Sequence, residues 1–184
     1  VTTNLQENIM HTRLQSVDAV FGKLPRQVRQ LAKQVGKEVD LEITGNDVEL
    51  DKSIIESLSD PLTHLIRNSL DHGLENSADR KAAGKSGPGK LYVRAFHEGG
   101  QVNIEIEDDG RGINPQVIKR KAIEKGVVSE IEADRLDDRQ AVELIFAPGF
   151  STAEEVSDLS GRGVGMDVVR TNIEELGGTI ELDS

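Results

Sequence analysis

Apolar residues recur along this chain in two rhythms, every three or four positions and every second position, and their order predicts its elements. Val28, Leu31, Ala32 and Val35 make the stripe of a helix that starts near Pro25 and stops at Gly36. Val39, Leu41 and Ile43 alternate as a strand, turned by Gly45-Asn46-Asp47. Asp51 can cap a helix through Ile54, Ile55 and Leu58. This leads into Pro61–Gly73, which reads as a helix with Asp60 as its cap, Pro61 in its first turn and Gly73 at its end. After a polar connection from Leu74 to Gly89, Leu91, Val93 and Ala95 alternate out and Val102, Ile104 and Ile106 alternate back around Gly99-Gly100, which predicts a hairpin. Helices are expected from Pro115 to Lys125, Arg139 to Phe146 and Gly163 to Leu176, with a polar loop from Ala147 to Ser160 and a strand from Thr179 to Leu182. Leu5, Ile9, Leu14 and Val17 are loosely helical in spacing. Helices and antiparallel strands in blocks point to an α/β two-layer sandwich, with one mixed, largely antiparallel sheet and helices on one face.

Composition narrows what such a fold can do. A chain of 184 residues suits one domain plus an appendage, and no apolar run reaches the roughly 20 residues of a membrane span. Val1 to Met10 lacks the apolar centre of a signal peptide, and there is no cysteine, so a cytoplasmic home is expected and thiol or cysteine–zinc chemistry is excluded. A net charge of −11 argues against nucleic-acid binding. Phosphates would therefore need a cation or backbone N–H donors.

Candidate chemistry gathers at three places. At about 100° per residue, His64, Arg67, Asn68, Asp71 and His72 share a sector of roughly 140° on the Pro61–Gly73 helix, opposite Leu62, Leu65, Ile66, Ser69 and Leu70. Solvent usually selects Lys and Glu. Two histidines, an amide, a carboxylate and a guanidinium instead read as the wall of a site. Second, Asp108-Asp109-Gly110-Arg111-Gly112 follows the strand Val102 to Ile106. Its glycines admit a flat ligand, and a carboxylate that only accepts suits the amine of adenine and rejects the carbonyl of guanine. The same residues also fit a strand-to-helix turn with an acidic cap. Third, Gly161-Arg162-Gly163-Val164-Gly165-Met166-Asp167 opens a helix, where free N–H groups can hold phosphate, and Ser151-Thr152 lies just upstream. Phe146 and Phe150 bracket Pro148-Gly149 as anchors of a lid or as plain core residues.

Other motifs carry no site. Gly84-Lys85-Ser86 imitates the end of a Walker loop, but Asp79 stands where its first glycine belongs. Gly161-x-Gly163 is no dinucleotide fingerprint, since Met166 takes the third glycine position. His11 and His97 have no partner in the sequence.

The order of the three motifs resembles the Bergerat-type (GHKL) ATP-binding fold of gyrase, heat-shock chaperone, mismatch-repair ATPases and histidine kinases. Within it, His64-x-x-Arg67-Asn68-x-x-Asp71-His72-Gly73, Phe150-Ser151-Thr152 and the Gly161–Asp167 run resemble the CheA family of chemotaxis histidine kinases. The resemblance implies the end of a dimerisation helix over residues 1–15 and a catalytic ATP-binding domain over 16–184, its final strand missing. It implies that Asn68, with His64 beside it, holds Mg²⁺ on the phosphates of ATP, and that Arg67 stabilises the transferring phosphoryl group. Asp108 would accept from adenine, with Gly110 and Gly112 at the base. Asp71, His72, Lys121, Ser151 and Thr152, and the lid residues Gly161, Gly163, Val164, Gly165 and Met166, would complete the nucleotide site.

Implied partners are a histidine phosphotransfer domain, response regulators, a coupling protein and chemoreceptors, with a homodimer in the full-length protein and no membrane insertion. ATPases of this fold place a glutamate one turn before the asparagine; His64 stands there instead. That favours phosphoryl transfer from ATP to a histidine on another domain over hydrolysis. An ATPase that works by lid closure and a non-catalytic scaffold remain the rival readings.

Overall fold

Alternation with a period of two builds the first unit of the fold. A computed structural model describes residues 13–85, 87–151 and 165–184. The chain divides into two units, Val1–Arg111 and Gly112–Ser184.

In the first unit, strands β2 (Val39–Thr44), β4 (Gly89–Glu98) and β5 (Gln101–Asp108) form a mixed sheet in the order β2-β4-β5, parallel then antiparallel. Leu91, Val93 and Ala95 of the central strand are buried, and the register sets Ile106 opposite Val93 and Ile104 opposite Ala95 on that same face. The other face is polar: Arg94 lies over the Tyr92 ring and pairs with Glu105 and Glu107. Helices thus have one apolar face to cover, as expected.

Helix α2 (Leu24–Val35) buries Leu24, Val28, Leu31 and Ala32 and ends at Gly36, whose φ of 65° lets the Lys37 N–H reach back to the Ala32 carbonyl. Helix α3 (Lys52–Asn68) starts at Asp51, whose carboxylate accepts from the Ser53 N–H at 2.9 Å. This corrects the expected break at Asp60, because Pro61 lies inside a continuous helix. An interior proline costs about 3 kcal/mol. The buried Ile55, Leu58, Leu62, Ile66 and Leu70 return roughly 1.5–3 kcal/mol each, so burial decides. The helix closes in a π turn, Ser69–Gly73, with the Leu74 N–H on the Ser69 carbonyl.

Two short strands escape the sequence pattern. β1 (Leu14–Ser16) pairs antiparallel with β3 (Glu49–Asp51), so Leu14 belongs to a strand and not to the expected helix; Leu5 and Ile9 lie outside the described residues. Helix α1 (Asp18–Phe21) follows, and helix α4 (Ser77–Ala82) occupies part of the expected polar connection.

The second unit holds α5 (Pro115–Glu124), α6 (Glu130–Arg135), α7 (Asp138–Glu143) with a 3₁₀ turn at Leu144–Phe146, and α8 (Met166–Glu175). Capping boxes at Ser129/Glu132 and Asp137/Gln140 start the two short helices. Phe150 packs with Ile118 and Ala122, and the buried Phe146 lies under the Arg170 guanidinium, so both rings are core residues. Thr179 to Leu182 is not a strand: its residues alternate, but no described strand pairs with it, and a strand exists only as part of a ladder.

Gly45, at φ 82°, brings its backbone against β4, where an added Cβ would lie 1.8 Å from the Ala95 carbonyl oxygen. Gly45→Ala is therefore expected to lower stability by about 2 kcal/mol or more, read as a fall in the urea midpoint at unchanged m.

Candidate functional site

The alternation of β5 decides where its last residue points. Asp108 shares a face with Ile104 and Ile106 and pairs in register with Leu91, so its carboxylate ends the strand on the side the helices cover. The π turn arrives at the same place. A Cβ on Gly73 would lie 2.7 Å from Asp108 Oδ2, and a Cβ on Gly110 would lie 2.1 Å from the Gly73 carbonyl oxygen. The Arg111 N–H donates to that oxygen at 3.0 Å, and the Gly110 N–H donates to Asp108 Oδ1 at 3.0 Å. Two motifs 35 residues apart in sequence, at Gly73 and Asp108, meet through glycines that leave no room for a side chain.

The helix with the polar face runs into this junction through the π turn. Leu62, Ile66 and Leu70 are buried, while His64, Arg67, Asn68 and Asp71 are half-buried and His72 is exposed. The division expected from the helical spacing holds for Leu62, Ile66 and Leu70, while Leu65 and Ser69 are half-buried like most of the polar side. Lys37 Nζ donates to the Leu70 carbonyl at 2.5 Å and to the Asp71 carbonyl at 3.0 Å, and Arg111 Nε donates to the His72 carbonyl at 3.2 Å. Burial pushes the Lys37 ammonium below its ordinary value, with the Asp71 carboxylate pulling it back up.

A set of charges that sequence reasoning missed holds the Asp108 loop from behind. Arg80, 3% exposed, grips the Asp109 carboxylate with both terminal nitrogens, at 3.0 and 2.9 Å. Asp109 Oδ1 also accepts from the Lys90 N–H at 2.8 Å. Lys85 Nζ donates to Glu75 at 2.8 Å and to the carbonyls of Asp109 and Gly110 at 2.8 and 2.7 Å. Burial works to raise the Asp109 carboxyl, but the bonds from Arg80 and the Lys90 N–H outweigh it and hold it below its ordinary range. The Lys85 hydrogen bond does the same for Glu75, against the opposing effect of burial. The sequence pattern marks Asp109 and Gly110 through their motif and Lys85 through the imitation Walker loop, but nothing in it points to Arg80 or Glu75.

Remaining candidates fall in the second unit. Gly112 has φ 71°, and Lys121 is exposed on α5. Ser151 and Gly165 are neighbours, since a Cβ on Gly165 would lie 3.0 Å from the Ser151 Cβ. Met166 is buried at the first turn of α8. Thr152, Gly161, Gly163 and Val164 lie outside the described residues. No group of three or more His, Asp or Glu suited to a metal ion occurs among the described residues.

Comparison with known proteins assigns this architecture. The family described as histidine kinase-, DNA gyrase B-, and HSP90-like ATPase matches residues 57–184. The sensor histidine kinase CheAY of Helicobacter pylori is 55% identical over 184 residues, 100% of this chain and 23% of its own length. The chemotaxis protein CheA of Bacillus subtilis is 49% identical over 184 residues, 100% of this chain and 27% of its own length. The chain therefore spans about a quarter of these relatives. A histidine kinase domain from Erythrobacter litoralis EL346 blue-light activated histidine kinase shares 19% identity at a TM-score of 0.39, over 54% of this chain and 41% of its own.

The depressed carboxyls set a pH dependence. Glu75 and Asp109 bind protons less readily folded than unfolded, so their stabilisation is complete above their ordinary values of 4.5 and 3.8 and is lost as pH falls through the lower folded values. Asp109→Asn should cost roughly 1–3 kcal/mol at pH 7, the lower part of that range reflecting partial solvent screening, and the gap to the parent should narrow as pH falls below 3.8. Urea midpoints at pH 7, 4 and 3 check this; parallel curves would contradict it.

Proposed function

The chain belongs to the histidine kinase-, DNA gyrase B-, and HSP90-like ATPase family, and from that premise we propose that it is the ATP-binding catalytic domain of a CheA-like histidine kinase. Its reaction is transfer of the γ-phosphoryl group of ATP to a histidine on a separate phosphotransfer domain. The observation that carries this is the meeting of the helix end and the Asp108 loop at Gly73, which joins an acceptor carboxylate to the end of the helix whose half-buried face carries an amide, an imidazole and a guanidinium.

Asp108 accepts from the exocyclic amine of adenine, and Gly110 leaves room for the ring. The Asn68 amide oxygen is a hard donor suited to Mg²⁺, which when bound neutralises phosphate charge; His64, a softer donor, stands one turn earlier beside it. Arg67 supplies fixed positive charge for the phosphoryl group in transfer. His72, Lys121, Ser151 and Thr152 serve as ribose and phosphate contacts, and Asp71, Gly161, Gly163, Val164, Gly165 and Met166 complete the nucleotide site. The N–H groups at the start of α8 suit an anion without basic side chains, which fits the net charge of −11. Residues 61–67 contain no carboxylate that could serve as base for water, which favours a protein acceptor over hydrolysis. No helix among the described residues is long and apolar enough to cross a membrane. Coupling to chemoreceptors, a coupling protein and response regulators, and dimerisation, belong to this reading of the full-length protein.

Mixing the chain with Mg²⁺-ATP and a histidine phosphotransfer domain should place acid-labile phosphate on that domain. Release of inorganic phosphate at one rate with or without the acceptor would instead identify an ATPase, and absence of ATP binding a scaffold. Asn68→Ala should lose roughly tenfold in ATP affinity with Mg²⁺ present, so that its titrations with and without Mg²⁺ converge. A persisting Mg²⁺ effect would remove Asn68 from the metal.

A further inference from the structure

We propose that Arg80 and Lys85 are positioning residues that set the base preference of the nucleotide site by fixing the loop that carries Asp108. The inference rests on the reading of Asp108 as the adenine acceptor and goes beyond it. Five backbone groups of this loop have partners. The Asp109 N–H donates to the Lys90 carbonyl at 3.2 Å, the Gly110 N–H to Asp108 Oδ1, and the Arg111 N–H to the Gly73 carbonyl. The carbonyls of Asp109 and Gly110 both turn to a single ammonium, Lys85 Nζ. The Asp109 side chain is clamped by Arg80, which is itself held by Glu75 at 3.3 Å and by the Gly87 carbonyl at 3.3 Å.

Asp108 has a short side chain, and one of its oxygens is tied to the Gly110 N–H, so its direction follows that peptide. Without Lys85, two carbonyls must turn toward water, and the Gly110 peptide turns with them. Adenine and guanine differ at this carboxylate by the exchange of a donor for an acceptor, so a rotated carboxylate loses discrimination even where the phosphates still bind. The hydrogen bonds of Arg80 and Lys85 go to Glu75, Gly87, Asp109 and the Gly110 carbonyl; they act on Asp108 through the loop.

The test measures dissociation constants for ATP and GTP on the 184-residue chain and its variants. Lys85→Met should weaken ATP about tenfold with little change for GTP, while Lys85→Arg keeps most of the preference. Arg80→Lys, which retains charge but loses the two-pronged grip, should shift the ratio in the same direction. If Arg80→Lys fails to fold, Lys85→Met decides, because the Lys85 side chain is 32% exposed and its loss is the milder change. A folded Lys85→Met that keeps the parent's ATP-to-GTP ratio, or that weakens both nucleotides equally, overturns the proposal. Asp108→Asn separates the two readings. If it abolishes the preference while Lys85→Met does not, only the positioning role falls. If neither changes it, or the parent shows no preference for ATP, the adenine assignment falls as well.

Discussion

The candidate site is built where two backbones come closer than side chains allow. Gly73, at the end of the π turn, and Gly110, after the last strand, press against one another with the Asp108 carboxylate between them. Any Cβ at either position would overlap a carbonyl or a carboxylate oxygen, so the approach depends on two residues that contribute no group of their own. The hydrogen bond from the Arg111 N–H to the Gly73 carbonyl then fixes the register of helix end against strand end. The other features of this wall follow from that junction.

The long helix brings the polar residues to it. A stripe of Ile55, Leu58, Leu62, Ile66 and Leu70 sinks into the core of the first unit, which leaves His64, Arg67 and Asn68 at half-burial on the other side. Burial on one side carries the helix through Pro61, although a proline there forfeits a hydrogen bond and crowds the preceding turn. Behind the junction, the tightly buried guanidinium of Arg80 is tolerated because it is paired with two carboxylates and a carbonyl.

Much of this was legible in the sequence. Helical spacing separated the polar from the apolar face of residues 61–73, and strand alternation put Asp108 at the end of the strand Val102 to Ile106. Gly36 and Gly73 marked helix ends correctly. Pro61 misled because a local rule about proline was overridden by burial that only tertiary packing supplies. Leu14 misled for a related reason: its strand pairs with Leu50 and Asp51, and three residues carry too little pattern to announce a partner so distant. The grip of Arg80 on Asp109 spans 29 residues and joins an ordinary-looking arginine to an ordinary-looking aspartate, so periodicity had no means of pairing them.

One property of the π turn reaches beyond geometry. The carbonyl end of any helix carries partial negative charge, about half an elementary charge, and repels anions. Here the Leu70 and Asp71 oxygens face the Lys37 ammonium, the His72 oxygen faces Arg111 Nε, and the Gly73 oxygen is taken by the Arg111 amide. Two cations thus quench the electronegative terminus of the helix from the side of the protein. In a chain with a formal charge of −11, that local quenching leaves the helix end compatible with a polyanion arriving from solvent.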